Sequence, residues 1–561
     1  MGPDLSLVNF SLGPLETRNS CSSFNYSYPT TLRIPTVEGS DARNGVKPPA
    51  PRQTDVFVEH RQGERQPTGS PWAITELSCI DRLYPRGTLP NDVLVYIFKF
   101  YLDQHWKIDA WHTLVHVCQS WRHVVFSSPR YLNLRLLCTP RRPVMASLNI
   151  WPALPLLIEA VAEEEQPPAR VMGDMANTIA ALMQHNRVSK INIRAAPNSL
   201  SAIFASMNEP FPSLTELEIV SRDKVAPVAP DSFLGGFAPR LRSLRLAGIA
   251  FLALPKLLSS TSGLVDLGLW NAPNSGYLSP GEMASCLSAL TRLNRFCLHF
   301  QFPGCRVDRA SRHAPPLTRI ILPTLTTLEF EGDSEYLEVI LSRIDAPLLS
   351  SVKITFFHQP IFDTPLLRHL ISRTEAFKAI NRAKIDFSAF GAEVTFFREG
   401  TLDTLKLGVA CEVPDWQLST VAQFCISSIP PMPTLEQLVI NGDRVQLWED
   451  DIGAPEWLEL LLPFASVKYL VLSKNLVHFY TPALEELASG SGAIELLPML
   501  QHLSLDLEEP WLPGAVRREI KKFIAARQRF GHPVTVNAAG LGPITDGALL
   551  FDECELFGIQ Q

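Results

Sequence analysis

The chain has 561 residues, of which 46% are hydrophobic and 19% are charged, and its formal net charge is −7. This composition is typical of globular proteins and excludes a wholly disordered chain, while the length requires several domains or one elongated repeat array. The acidic balance gives no electrostatic reason to expect nucleic acid, because phosphate binding is normally supplied by clustered Lys and Arg. We therefore expect a protein partner.

The cysteines and the hydropathy indicate the cellular environment. The ten cysteines are scattered and include no CxxC pair, which predicts free thiols in a reducing compartment. No stretch approaches the roughly 18 uninterrupted apolar residues of a membrane span, and residues 1–5 lack the basic start of a signal peptide. The sequence thus predicts a cytoplasmic or nuclear protein that makes no use of a membrane.

Residues 1–75 are predicted to be disordered. They are rich in Pro, Ser, Gly, Arg and Asn, most clearly at 48–52 and 67–71. Such a segment buries too little apolar surface to offset the loss of chain entropy on folding.

A helix is predicted to begin at Pro90, with this proline in its first turn. Proline suits the first turn of a helix because its missing N–H would be unpaired there in any case, and Asp92 places negative charge where the helix dipole favours it. The apolar residues that follow recur at positions i, i+1, i+4 and i+5 and form one stripe: Val93, Leu94, Ile97 and Phe98.

A second helical pattern runs from Trp111 to Val125 and is closed by Ser127-Ser128-Pro129. Two or three short helices this apolar cannot bury all their stripes within about forty residues, so we expect a partner to cover part of them. An ordinary helical hairpin at the head of a larger domain is the alternative.

Residues 80–136 resemble an F-box of the kind expanded in basidiomycete fungi. The resemblance depends on Leu89-Pro90, Ile97-Phe98 and Cys118-x-x-Trp121 falling together at the right separations. It implies a module that docks on a Skp-type adaptor and, through it, on a cullin. The implied adaptor contacts are Leu89, Pro90, Val93, Leu94, Ile97 and Phe98, with Leu114, Val117, Cys118 and Trp121 partly in contact and partly internal core.

An apolar-x-x-apolar-x-apolar core recurs twelve times between Val188 and Leu505, with successive starts 22 to 33 residues apart. The last two apolar residues of each core would share one face of a strand, and helical patterns link the cores. The array resembles leucine-rich repeats, whose stacked units share a core that no single unit can form. An open α/β sheet with parallel strands is the alternative.

The predicted fold class is therefore α/β: a short all-α F-box, then a leucine-rich repeat-like solenoid, or horseshoe, over 145–540. A C-terminal helix from Ala515 to Arg529 and a strand at 534–536 would cap the array. No role is assigned to the tail at 541–561.

The residues between the apolar positions of each strand would form the binding face of the array. The later repeats are basic on this face, which predicts that an acidic or phosphorylated segment of an unknown protein substrate docks there. A solvated strand face without a specific role is the alternative. The candidate substrate contacts are Arg295, Lys353, Arg382, Lys384 and Lys406.

Catalytic, cofactor and metal sites are not expected. His112 and His116 are four residues apart, but the Trp and Val residues around them indicate a packed helix rather than a metal site. The sequence predicts a non-enzymatic substrate-recognition subunit of an SCF-type cullin-RING ubiquitin ligase. The alternatives are a leucine-rich scaffold that binds a Skp protein without delivering ubiquitin, and a hydrolase on an α/β sheet, for which no nucleophile is apparent.

Overall fold

The computed structural model describes residues 89–544, and the chain divides into two compact units, Met1–Gly87 and Thr88–Gln561. The predicted disordered segment at 1–75, the start of the helical module at 80–88 and the tail beyond 544 lie outside the described residues. Gaps within the described part fall at 106, 142–143, 162–167, 224, 302–318, 360, 399, 401–403, 412, 443–453, 477–478, 481–482, 484–495, 507–513 and 539–541.

Three helices open the described part: α1 Asn91–Gln104, α2 Trp111–Val115 and α3 Gln119–Ser127. Pro90 is the N-cap of α1 rather than a residue of its first turn, and its carbonyl accepts the first intrahelical hydrogen bond from the Leu94 N–H at 3.0 Å. The Trp111 indole N–H donates to the Arg135 carbonyl at 2.9 Å, which ties the helices to the start of the sheet.

The main sheet has 17 strands within the described residues. A separate pair of short strands, Ile320–Ile321 and Ile344–Asp345, forms a two-stranded parallel sheet. The strands are β1 Leu136–Cys138, β2 Leu156–Val161, β3 Val188–Ala195, β4 Glu216–Ser221, β5 Ser243–Ala247, β6 Asp266–Ala272, β7 Arg295–Phe300, β8 Ile320–Ile321, β9 Thr327–Gly332, β10 Ile344–Asp345, β11 Ser351–Phe357, β12 Arg382–Ser388, β13 Gly391–Phe397, β14 Thr404–Ala410, β15 Gln437–Gly442, β16 Tyr469–Ser473, β17 His502–Asp506, β18 Thr535–Ala538 and β19 Gly542–Ile544.

Strands of the main sheet pair in parallel and in chain order from β1 through β7, β9 and β11. In all twelve apolar cores predicted from the sequence, the second and third apolar residues lie on strands, and the predicted α/β class is confirmed as a mixed fold with a large, mostly parallel sheet. Beyond the predicted array, β19 pairs antiparallel with β18 inside the segment assigned to the tail.

Chain order breaks at one place, between β11 and β15. There β14 pairs with β11 and β12 pairs with β15, while β13 lies antiparallel between β14 and β12. The two-residue turn at 389–390 reverses the chain, and Gly391 after it has φ +154, a conformation that favours glycine. The sequence analysis placed these repeats in simple succession, so the order it implied here is wrong.

The connecting helices cover the apolar side of the sheet, and their buried residues form one cluster with those of the strands. Pro stands at the first turn of several of them, and Ser279 with Glu282 forms a capping box. These helices are α4 Val144–Ile150, α5 Pro168–Leu182, α6 Pro197–Ala205, α7 Leu254–Ser259, α8 Pro280–Ser288, α9 Ser334–Arg343, α10 Pro365–Arg373, α11 Glu375–Lys378, α12 Pro414–Ser428, α13 Ala454–Leu461 and α14 Gly514–Arg529.

A half-buried carboxylate joins two of these helices. Glu338 on α9 accepts hydrogen bonds from the backbone N–H groups of Leu366 and Leu367, each at 2.9 Å, and so caps the N-terminus of α10. Burial raises the pKa of Glu338 to about 7, although the two N–H donors act in the opposite direction.

Candidate interaction surfaces

Helix α1 carries two apolar stripes. Leu94 and Phe98 face inward with Tyr101 and Leu102, at the i, i+4, i+7, i+8 spacing of a core-facing helix. The other stripe faces outward, with exposed fractions of 39% for Val93, 67% for Tyr96, 45% for Ile97 and 68% for Phe100.

The outward stripe has the spacing of a docking surface. Its four residues fall at i, i+3, i+4 and i+7, the arrangement by which an amphipathic helix presents anchors to a groove. Tyr131, which follows α3, extends the patch, since its ring meets Tyr96 edge-on at 5.9 Å. Contiguous exposed apolar surface of this kind marks an interaction site more often than single exposed residues do.

The structure divides the predicted adaptor contacts into two groups. Leu94, Phe98 and Leu114 are buried, and Trp121 is half-buried against Phe98 with ring centroids 4.8 Å apart, so these four pack inside the module. The exposed group comprises Leu89, Pro90, Val93, Ile97, Val117 and Cys118.

Cys118 has a local structural role in addition to its exposure. It is the N-cap of α3, and its Sγ accepts a hydrogen bond from the Trp121 N–H at 3.4 Å.

The prediction omitted Tyr96 and Phe100, the two most exposed members of the stripe. Their spacing from Val93 was a readable signal, because positions i+3 and i+7 share a face with i.

A second candidate surface is the charged face of the sheet, opposite the apolar side. Carboxylates and cations on neighbouring strands pair across it, as cross-strand neighbours do. The pairs in the first half are Lys190–Glu216 at 2.8 Å, Arg194–Glu218 at 2.9 Å, Arg245–Asp266 at 2.5 Å and Arg295–Glu329 at 2.6 Å.

The five predicted substrate contacts lie on this face, and three of them have carboxylate partners within the described residues that can be named. Arg295 bonds Glu329, Lys384 lies 2.8 Å from Asp386, and Lys406 lies 3.2 Å from Glu393. Glu393 belongs to β13, the strand that the sequence analysis missed. The basic stretch is therefore interleaved with carboxylates and is less cationic than its sequence indicates.

The remaining two predicted contacts differ in their surroundings. Lys353 on β11 is exposed, and the strand register sets it between Glu329 and Lys406. Arg382 opens β12 and is half-buried opposite Phe397. The structure thus brings Lys353 and Lys406 together and sets Arg382 apart from them on the other side of β13.

Buried polar groups surround Arg295 on the same face. Burial lowers the pKa of His299 to about 4, so at neutral pH its ring is uncharged, and its contacts with Glu331 at 3.5 Å and Glu329 at 3.9 Å are not ion pairs. Burial raises the pKa of Cys297 to about 12 although the Arg295 Nε–H lies 3.3 Å from its Sγ. A thiol that stays protonated is a poor nucleophile.

Neither a metal-binding cluster nor a membrane-spanning helix occurs among the described residues. No group of three or more His, Cys, Asp or Glu side chains there is placed to hold a metal ion. His112 instead stacks on the Trp151 ring, with centroids 5.0 Å apart. No helix in the described part of the chain combines the length and apolar character needed to cross a bilayer.

No protein-family model matches the chain, and no curated protein resembles it at a significant level. The evidence for function therefore lies in the outward stripe of α1 and the charged face of the sheet.

Proposed function

We propose that this chain is the substrate-recognition subunit of an SCF-type cullin-RING ubiquitin ligase. In this proposal the helical module is an F-box that docks on a Skp-type adaptor, and the sheet is a leucine-rich repeat solenoid that holds a protein target. The chain then contributes to the rate of ubiquitin transfer by proximity rather than by chemistry.

The observation that carries the proposal is the outward stripe of α1. A helix that already buries Leu94 and Phe98 has no folding reason to expose Tyr96, Ile97 and Phe100 beside them. The cost of keeping these side chains in water is offset if a partner covers them. The stripe lies at the Leu-Pro and Ile-Phe segment that resembles the adaptor-binding segment of an F-box.

The sheet supports the second half of the proposal. Consecutive parallel strands that follow chain order, joined by helical connections, are what stacked leucine-rich repeats produce. Such an array leaves one strand face and both strand edges open, and these are the surfaces that bind a target.

Adaptor binding is tested with two matched triple variants of the full chain. Tyr96→Ala, Ile97→Ala, Phe100→Ala removes the stripe, whereas Phe237→Ala, Ile361→Ala, Phe390→Ala removes three exposed apolar side chains elsewhere. The intact protein and the second variant are expected to co-purify with a recombinant Skp-type adaptor, and the first is expected to lose it while keeping its thermal unfolding midpoint. An intact chain that fails to retain the adaptor, or a stripe variant that retains it, refutes the docking half.

Ubiquitin transfer tests the other half. In a reconstituted reaction with adaptor, cullin and ubiquitin-loaded enzyme, a protein captured by the chain is expected to be ubiquitinated only when the chain is present. Capture of the adaptor without transfer would favour the scaffold alternative.

A further inference from the structure

An open groove of about 630 Å³ lies beside the starts of β4, β5 and β7. Its charged side chains are four arginines and a single carboxylate, Glu216, which is itself held 2.8 Å from Lys190. The lining residues are Arg135, Thr215, Glu216, Pro239, Arg240, Arg242, Gly263 and Arg292.

The arginines of this groove differ from those of the charged strand face. On that face Arg194, Arg245 and Arg295 each contact a carboxylate on a neighbouring strand. In the groove, Arg240, Arg242 and Arg292 are exposed, and none forms an ion pair with any residue that the structure describes. These arginines line one concavity, and their unpaired guanidinium groups can bind an anion from outside the chain.

The repeat sets the spacing of two of these arginines. Arg240, Gly263 and Arg292 occupy the same repeat position, directly before the first apolar residue of three successive cores. Because β5, β6 and β7 are neighbours, the backbones of Arg240 and Arg292 are separated by two strand spacings, or roughly 10 Å. Gly263 stands between them, and a Cβ added there would meet nothing within 4 Å, so the space between the two arginines is open.

The backbone beneath the groove is held in place. Arg242 donates its N–H to the Thr215 carbonyl at 2.8 Å, and its own carbonyl accepts from Val265 and Asp266 at 2.8 and 2.9 Å. The Arg135 carbonyl is fixed by the Trp111 indole, as described above. Fixed anchor points reduce the entropy that is lost when the side chains close on a ligand.

We infer that this groove binds a phosphorylated acidic segment of the target protein, with phosphoserines three residues apart. The inference deepens the proposed function and rests on it only for the claim that the segment belongs to a ubiquitination target. Guanidinium groups bind phosphate bidentately. In a polyproline II segment, residues i and i+3 share a face and lie about 9 Å apart, which matches the separation of Arg240 and Arg292.

Nucleic acid fits the groove less well than a peptide. A phosphate backbone is usually bound by a long run of cations, whereas this concavity offers four on a chain of net charge −7. The pocket volume also suits a few peptide residues rather than a duplex.

The test is fluorescence anisotropy with the full chain and no adaptor. The probe is a labelled ten-residue acidic peptide with phosphoserines at i and i+3, compared with its unphosphorylated form, a form with adjacent phosphoserines, and a single-stranded oligonucleotide. The variants are Arg240→Glu with Arg292→Glu, and Gly263→Glu, which places a carboxylate between the arginines. Arg222→Glu is the matched control, since Arg222 is an exposed arginine at the far end of β4.

The intact chain and the control are expected to bind the i, i+3 peptide with equal affinity. Both groove variants should weaken binding at least tenfold, and adjacent phosphoserines should weaken it at least threefold. Equal binding of the unphosphorylated peptide, tighter binding of the oligonucleotide, or full binding by the groove variants would overturn the inference. Peptide binding in a chain that fails to hold the adaptor would refute the proposed function alone, and adaptor binding without peptide binding would refute the groove alone.

Discussion

Phe98 and Phe100 allow the two faces of α1 to be tested by the same substitution two residues apart. Phe98 is fully buried and its ring packs on Trp121, whereas Phe100 is 68% exposed. Phe98→Ala is expected to cost about 3–5 kcal/mol of local stability, because it removes buried surface and leaves a cavity. Phe100→Ala should change stability by about 0.5 kcal/mol or less, as exposed positions usually do.

Hydrogen exchange of the α1 amides measures this difference locally. A loss of 3–5 kcal/mol corresponds to exchange about two to four orders of magnitude faster, up to the limit set by the stability of the module. Phe100→Ala should leave protection within about threefold of the unmodified chain and yet weaken adaptor binding. The two substitutions therefore separate a folding residue from a docking residue.

Two results would contradict this reasoning. Equal loss of protection in both variants would mean that Phe100 is covered within the chain itself. Full adaptor binding by Phe100→Ala, together with normal protection, would mean that the outward stripe is an apolar surface without a docking role.

Two further predictions concern Glu338 and Gly391. Because burial raises the pKa of Glu338 from 4.5 to about 7, this group contributes stability that is complete below pH 4.5 and is lost as the pH rises through 7. Glu338→Gln should therefore flatten the dependence of the unfolding midpoint on pH in that window, and an unchanged slope would argue against the raised pKa. Gly391→Ala should lower the free energy of unfolding by about 1–3 kcal/mol in a denaturant titration, since its φ is +154 and a Cβ would overlap a carbonyl oxygen of β14. The matched Gly263→Ala, which meets open space, should be close to neutral, and equal effects would refute the steric account.

The parallel strands could be predicted because their signal is local. An alternation such as Leu217-x-Ile219 or Leu244-x-Leu246 places two apolar side chains on one face whatever lies next to the strand. Strand β13 escaped because it falls inside one repeat spacing. Its own alternation, Ala392, Val394 and Phe396, was readable, but its antiparallel placement depends on the turn at 389–390.

The state of each charged side chain could not be predicted, because it depends on register over long separations. Arg295 and Glu329 are 34 residues apart and meet only because β7 and β9 are neighbours. For the same reason the sequence did not show that Lys406 pairs with Glu393, because Glu393 lies on β13, a strand that was not predicted. The repeat alignment already gave Arg240 and Arg292 equivalent positions, but only the structure shows that neither forms an ion pair with a residue in the described part of the chain.

A hydrogen bond links the helical module to a residue that lines the groove. Trp111 belongs to the module and is almost fully buried, and its indole fixes the backbone of Arg135, a lining residue of the groove. A subunit that acts by proximity needs its target held at a fixed distance from the adaptor, since loose tethering lowers the effective concentration of the target lysines. Under the proposed function, a target bound beside Arg135 would be held next to the helical module. In contrast, Lys353 and Lys406 lie two and three strands beyond β7, farther along the sheet from the helical module than the groove.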